Sequence, residues 1–251
     1  MQTEDPILKI ETTGAETCIL KDIRLEIFRG EKIAVFGPEN SGIDQLVRAV
    51  LYLDRGFPGR VYFMGVSVND FDYMSLMNYR SRLGYVQREF GLISNMSVTE
   101  NIALPVQYHT GMEPDDVSKL VDRIIREEGL DHCRDSRPID LAPSEVLKTA
   151  YARAIALDPE ILIMEWTFGD ISPVDMVGLA ERVAGWLSNA DKTAIFITHR
   201  PEKFIDFMQR FIMLNRGRIV FDGGREDFIN SGDPLIAGYR NIGVSGPMKM
   251  I

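Results

Sequence analysis

Cations, cysteines and long apolar runs are what this chain is short of. It has 28 Lys and Arg against 37 Asp and Glu, a formal charge of −9. That balance argues against nonspecific nucleic-acid binding and against adhesion to anionic lipid. Cys18 and Cys133 are its two cysteines, too few for a disulfide framework or a zinc site, and a reducing cytosol is the expected setting. The stretch from Met1 to Pro6 is polar and acidic and does not read as a signal peptide. No apolar run reaches the roughly 18 residues of a spanning helix, so membrane association is expected to go through a partner. What is present is 45% hydrophobic content in 251 residues. That is enough for one large core, or one core with a satellite lobe.

The stretch that organises the rest begins at an apolar strand, residues 32–36. It leads into Gly37-Pro38-Glu39-Asn40-Ser41-Gly42-Ile43-Asp44. A helical pattern follows over residues 43–53, with Leu46, Val47, Val50 and Leu51 on one face. Strand, glycine-bounded loop and helix form the layout of a phosphate-binding P-loop, G-x-x-x-x-G-K-[ST]. Gly37 and Gly42 hold the two glycine positions. Ile43 stands where lysine belongs, and Asp44 where a hydroxyl belongs.

Along the chain, residues 7–11, 18–28 and 60–68 alternate as strands. Over residues 70–130 the pattern turns helical. Val117, Leu120, Val121, Ile124 and Ile125 have the spacing of an amphipathic helix, with Pro114 in its first turn and Gly129 as its C-terminal cap. From residue 144 strands and helices alternate again. Helices are expected near 144–157, 173–187 and 201–208, strands at 161–164 and 193–198, and a hairpin turning at 215–217. Such alternation implies an α/β fold with a mostly parallel core sheet. Ligands in such sheets sit at the carboxyl ends of strands, where Gly37, Glu165 and His199 fall.

In this order the motifs resemble the ATPase subunit of an ABC transporter along nearly the whole chain. Gly84-Tyr85-Val86-Gln87-Arg88 is similar to the Q-loop region, and Ser97-Val98-Thr99-Glu100-Asn101 to the start of the helical subdomain. Leu141-Ala142-Pro143-Ser144-Glu145 stands at the signature position. Residues 152–160 resemble the run before the Walker B strand, which ends here in Glu165-Trp166, and Ile197-Thr198-His199 resembles the switch-histidine motif. The resemblance implies one domain over residues 1–251. A P-loop core with an antiparallel β subdomain would occupy 1–87 and 158–232, a helical subdomain 88–157, and a tail 233–251. Ala103-Leu104-Pro105, Tyr108-His109-Thr110-Gly111 and Asp233-Pro234-Leu235 look like the mammalian-cell-entry, or Mla-type, lipid transporter ATPases.

The departures carry chemistry. In the family the P-loop lysine pairs with the β/γ-phosphates and the next hydroxyl ligates Mg²⁺. Ile43 removes the cation and Asp44 adds a carboxylate, although a carboxylate is also a good Mg²⁺ ligand. Losing one partner of a desolvated charge pair costs about 2–5 kcal/mol. Trp166 replaces the carboxylate that would polarise the attacking water, and indole offers only a donor. The Q-loop position falls on Arg88 or, with a slip of one, Gln87. Ala142 replaces the signature serine, Pro143 has no N–H to give, and Glu145 adds charge. In the D-loop, Ser172 stands in the aspartate's place. His199 is retained, although a histidine at a strand end is often just a hydrogen-bonded structural residue. His109 and His132 read as surface residues, and no metal site is expected.

These readings point to a degenerate, pseudo-ATPase subunit scaffolding a membrane permease for lipid or hydrophobic cargo. Hydrolysis would be weak or absent, and no nucleotide cofactor is expected. The alternatives are a divergent active ATPase that uses ATP and Mg²⁺, and a regulatory binding module. A permease, a dimer with itself or a second ATPase, no nucleic acid, and a place on the inner face of the cell membrane complete the expectation.

Overall fold

The computed structural model describes residues 5–12, 18–166, 173–189 and 191–241, with backbone alone at residues 166 and 173–177. Two compact units divide the chain, residues 1–71 with 193–251, and residues 72–192. The first unit opens with β1 (Leu8–Thr12), β2 (Arg24–Ile27), β3 (Lys32–Phe36), α1 (Ile43–Val50), β4 (Gly59–Phe63) and β5 (Val66–Ser67). The second holds α2 (Tyr73–Ser81), β6 (Leu83–Val86), α3 (Val98–His109), α4 (Pro114–Glu128), α5 (Pro143–Ile155), β7 (Ile161–Trp166) and α6 (Pro173–Trp186). The chain returns to the first unit with β8 (Thr193–Thr198), β9 (Arg210–Asn215), β10 (Arg218–Gly224), α7 (Arg225–Asn230) and α8 (Pro234–Arg240).

In the first unit, β1 pairs antiparallel with β2 and β4, placing Leu8 opposite Ile27 on one side and Phe63 on the other. β5 extends this sheet from β4. β3 lies between β8 and β9, parallel to both, and β10 turns back antiparallel on β9. Ile33, Ala34, Val35 and Phe36 are all buried, as a parallel strand covered on both faces requires. The carboxyl end of β3 delivers the chain to Gly37. Phe36 is closed over by the C-terminal helices, with Phe228 of α7 at 5.6 Å and Tyr239 of α8 at 5.2 Å in edge contacts.

In the second unit, β6 and β7 are parallel, Leu83 opposite Ile161 and Val86 opposite Met164. Helices α3, α4 and α5 share a core that includes Val98, Ile102, Val106, Val121, Ile125 and Ala152. Each helix starts where its sequence says. Ser97 caps α3 reciprocally with Glu100: its hydroxyl accepts from the Glu100 N–H at 3.2 Å, and Glu100 Oε2 accepts from the Ser97 N–H at 2.7 Å. α4 carries Pro114 in its first turn and ends at Gly129 with φ +67. Asn101 is fully buried and ties the preceding loop to α3. Its Oδ1 accepts from Ile93 N, and its Nδ2 donates to the carbonyls of Ile93, Met96 and Ser97.

Several expected elements differ. The strand expected over residues 60–68 breaks after Phe63 and resumes as the two-residue β5, and the helix expected over 43–53 ends at Val50. The strand expected over residues 18–28 shrinks to Arg24–Ile27, because the polar groups upstream are committed elsewhere. Leu20 N and Cys18 Sγ donate to Gln45 Oε1, and Lys21 N donates to Gly217 O. The helix expected near residues 201–208 is a 3₁₀ turn, Pro201–Phe204, with Phe204 O accepting from both Phe207 N and Met208 N. The tail expected from residue 233 starts with a helix, α8, capped by Asp233, whose carboxylate accepts from Leu235 N at 2.7 Å. Among the described residues no helix is long and apolar enough to cross a membrane.

Candidate functional site

The loop between β3 and α1 is tightly built. A Cβ on Gly37 would stand 2.1 Å from the Leu214 carbonyl oxygen. Gly42 has φ +100, and a Cβ there would meet Leu20 at 2.7 Å. Ser41 is buried; its N–H donates to Pro38 O, and its carbonyl accepts from Gly217 N at 2.8 Å. The protein's own packing therefore demands both glycines, and they do not by themselves speak for a ligand.

Other features of the loop do. α1 follows Gly42, an N-cap that brings no side chain, so among the described residues no capping side chain stands at its first turn. Asn40 at φ +59 and Gly42 are both left-handed, the alternation that gathers successive N–H groups into an anion-binding concavity. The helix N-terminus adds a partial positive charge. This backbone fits a phosphate group. The side chains do not add to it. Ile43 is 8% exposed and packs with the apolar face of α1, while Asp44 is exposed in the first turn. Glu39 and Asn40 are exposed, and Pro38 is half-buried. Gln45 holds the segment around residues 18–20 against α1. That role left no motif in the sequence.

His199 is exposed just beyond β8. The next residues turn on Thr198, whose Oγ1 accepts from Arg200 N at 2.9 Å, and Arg200 pairs with Glu202 at 2.7 Å.

In the second unit, Glu165 lies near the end of β7 and is half-buried. Tyr85 of β6 donates its hydroxyl to Glu165 Oε1 at 2.5 Å. Trp166 is the last residue of β7; its side chain, and Ser172, lie outside the described residues. Arg88 is exposed and Gln87 half-buried. The Gln87 side chain folds into its own turn, since a Cβ on Gly91 would stand 2.6 Å from Gln87 Cδ. Arg153 clamps that turn, donating to Gly91 O at 2.7 Å and Phe90 O at 2.9 Å. It stays buried enough for desolvation to lower its pKa. A cavity of about 490 Å³ nearby is lined by Tyr85, Leu104, Pro105, Tyr108, His109 and Arg153, among others. His109 is thus part of a cavity wall rather than a free surface residue, and its pKa is lowered by burial and by Arg80.

At the signature position, Leu141 is half-buried and Ala142 and Pro143 are exposed. Pro143 is the first residue of α5, followed by Ser144. Glu145 turns back to accept from Ala142 N with Oε2 at 2.8 Å. Its Oε1 meets His132 Nε2 at 2.5 Å. The hydrogen bond from His132, then the one from Ala142, hold the Glu145 carboxyl below the usual carboxylate range.

A sequence profile described as "ABC transporter" matches residues 20–167, more than half of the chain. The chain belongs to the ABC transporter family. It is 28% identical over 219 residues to the methionine import ATP-binding protein MetN of Bartonella henselae, covering 87% of this chain and 63% of that protein. It is 29% identical over 212 residues to methionine import ATP-binding protein MetN 2 of Paraburkholderia xenovorans, covering 84% of this chain and 55% of that protein. The chain therefore spans less than two thirds of the length of these relatives. Among solved structures, a dimeric post-hydrolysis state of the ATP-binding cassette MJ0796 bound to ADP and Pi superposes with a TM-score of 0.77 at 23% identity, covering 87% of this chain and 98% of that one. CbiO1 from Clostridium perfringens, part of the ABC transporter complex CbiONQ, superposes with a TM-score of 0.77 at 21% identity, covering 96% of each chain. The fold is that of the ABC ATPases.

Two expectations are corrected. The absence of a nucleotide cofactor is overturned: relatives matching more than four-fifths of the chain are ATP-binding proteins, and the loop backbone fits a phosphate. The missing lysine weighed too heavily in that expectation, because backbone N–H groups of a helix N-terminus hold phosphate without a side chain. The narrowing to lipid transporters gains no support, since these relatives are named for methionine import. One of its cues has a plain structural reason: Asp233 caps α8, and Pro234 is its first residue.

Proposed function

We propose that this chain is the nucleotide-binding subunit of an ABC transporter, that it takes Mg-ATP at residues 37–44, and that it turns ATP over slowly. The observation that carries this reading is the uncapped first turn of α1 behind a glycine-bounded, left-handed loop at the end of a buried parallel strand. Backbone N–H groups of Asn40 and of residues 42–45 would hold the phosphates, the Ser41 N–H being bonded to Pro38 O. Asp44, exposed in the first turn of α1, would supply a carboxylate to the metal. Bound Mg-ATP supplies the free energy that this class of protein couples to transport.

The slow turnover rests on what the chain's own residues cannot do. Ile43 brings no cation to the phosphates, and Trp166 cannot accept a proton from water. Pro143 and Ala142 offer neither a hydroxyl nor, at Pro143, an N–H. The partner is a membrane permease, through which the subunit sits at the inner face of the membrane, and the working unit is a dimer with itself or with a second ATPase subunit. The cargo class is a small molecule, in keeping with relatives named for methionine import.

Calorimetric titration of the purified chain with Mg-ATP tests the reading. Saturable binding is expected in the millimolar range, with turnover below about 1 s⁻¹. No saturable binding at several millimolar would overturn it.

A further inference from the structure

The second unit brings Glu145 to the adjacent pair His132 and Cys133, 12 residues back from it in the chain. His132 and Cys133 lie on the 3₁₀ turn Asp131–Cys133, and Glu145 is in the first turn of α5. One ligand atom from each, an imidazole nitrogen, a thiol sulfur and a carboxylate oxygen, all lie within 4.8 Å of one another. We propose that His132, Cys133 and Glu145 form a binding site for a borderline transition metal of the Zn²⁺ class, with a fourth position open to water.

The donor set fits that class. Nitrogen, sulfur and carboxylate oxygen are the ligands Zn²⁺ takes, at roughly 2.0–2.3 Å and in tetrahedral geometry. Hard cations such as Mg²⁺ and Ca²⁺ would not choose a thiolate. The site is held on each side. Glu145 uses Oε2 for the Ala142 N–H, so Oε1 alone is aimed at His132. That second contact is the kind of outer support that orients metal ligands. Cys133 is buried, and its thiol donates a weak bond to Leu130 O at 3.5 Å. It has little to give up on binding. His132 is mostly exposed, with 64% of its side chain accessible, so the site has an entry path. Burial, and then Glu145, push the Cys133 thiol up, with Lys148 opposing, so the metal itself must displace the thiol proton.

On binding, the metal takes the place of the proton between Nε2 and Oε1, and the thiol proton leaves to solvent. Nε2 and Oε1, 2.5 Å apart without metal, must open to roughly 3.3 Å, and the sulfur, within 4.8 Å of both, must move in, to reach tetrahedral ligand spacing. A metal here would pin the turn at residues 131–133 to the N-terminus of α5, the signature position. The assignment stands on these three side chains and does not rest on the nucleotide reading.

Titration of the full chain, freed of metal by chelation, with Co²⁺ alone tests it by absorbance. The expected result is a saturable thiolate-to-cobalt charge-transfer band with the visible bands of four-coordinate cobalt, both displaced by Zn²⁺. Cys133→Ser should abolish the charge-transfer band. His132→Ala should weaken Co²⁺ binding by at least the roughly 10–100-fold that loss of a mere supporting contact costs. Cys18→Ser should change nothing. No charge-transfer band, or one that survives Cys133→Ser, would overturn the assignment. If Cys133→Ser fails to fold, the exposed His132→Ala decides, and unchanged Co²⁺ affinity there overturns it.

Discussion

Replacing Ile43 by lysine isolates the electrostatic part of the account. The side chain at 43 is 8% exposed in an otherwise apolar helix face. Burial of an isoleucine contributes about 1.5–3 kcal/mol. A lysine keeps part of that through its methylene stem, so the nucleotide-free variant should be less stable by about 1–2 kcal/mol. Against this, an ammonium placed at the phosphates restores one partner of a desolvated charge pair, worth about 2–5 kcal/mol. Binding of Mg-ATP should tighten by roughly 30-fold to several thousand-fold. Calorimetric titration of Mg-ATP into the wild type, Ile43→Lys and the uncharged control Ile43→Met would separate charge from packing. Only the lysine variant should gain affinity, and its thermal stability should recover when nucleotide is added. Hydrolysis should stay slow, because Trp166, Ala142 and Pro143 are unchanged. A folded Ile43→Lys protein whose Mg-ATP affinity equals that of Ile43→Met would refute the reasoning.

Glu128 supplies a pH prediction. Burial pushes its carboxyl up to about 7, with Arg182 opposing the shift. Arg182 Nε lies 2.9 Å from Oε2 but is not aligned for a hydrogen bond. The folded state holds this proton more tightly than the unfolded chain does, so the contribution is full below the unfolded value near 4.5 and is lost as pH rises through about 7. The loss amounts to about 3 kcal/mol at most. Urea melts across pH 5–8 should show Glu128→Gln losing that slope, and an identical pH profile would count against it. Asn101→Ala should cost about 3 kcal/mol in the same melts, since it strands the Ile93 N–H and three carbonyls. A cost under about 1 kcal/mol would mean the loop is not held there. Tyr85→Phe removes a hydrogen bond to a carboxylate, worth about 1.5–3 kcal/mol. A midpoint equal to wild type would show that Tyr85 does not anchor Glu165.

What could be read beforehand followed local chemistry. α4 was legible because its apolar spacing, Pro114 and Gly129 all sit within one helix and agree with one another. The loop at 37–42 was legible because its two glycines are required by contacts at 2.1 Å and 2.7 Å, and the motif encodes that crowding. Features made by distant residues were not legible. Gln45 reaching to Cys18 and Leu20 shortened a strand that alternation alone had extended. Arg153 holding residues 90 and 91 across 62 positions has no sequence signature. The meeting of His132, Cys133 and Glu145 depends on a turn folding back on a helix start, and only the adjacency of His132 and Cys133 hinted at it. The cofactor was misjudged for a related reason. A motif records side chains, whereas the phosphate-binding capacity left in this loop belongs to its backbone.

The most direct measurement is a single-turnover experiment. Purified chain in excess is mixed with labelled Mg-ATP, and bound ATP and released ADP are followed together. Nucleotide should be retained as ATP, with conversion to ADP much slower than about 1 s⁻¹. Rapid appearance of ADP, or label that never associates with the protein at millimolar concentration, would contradict it.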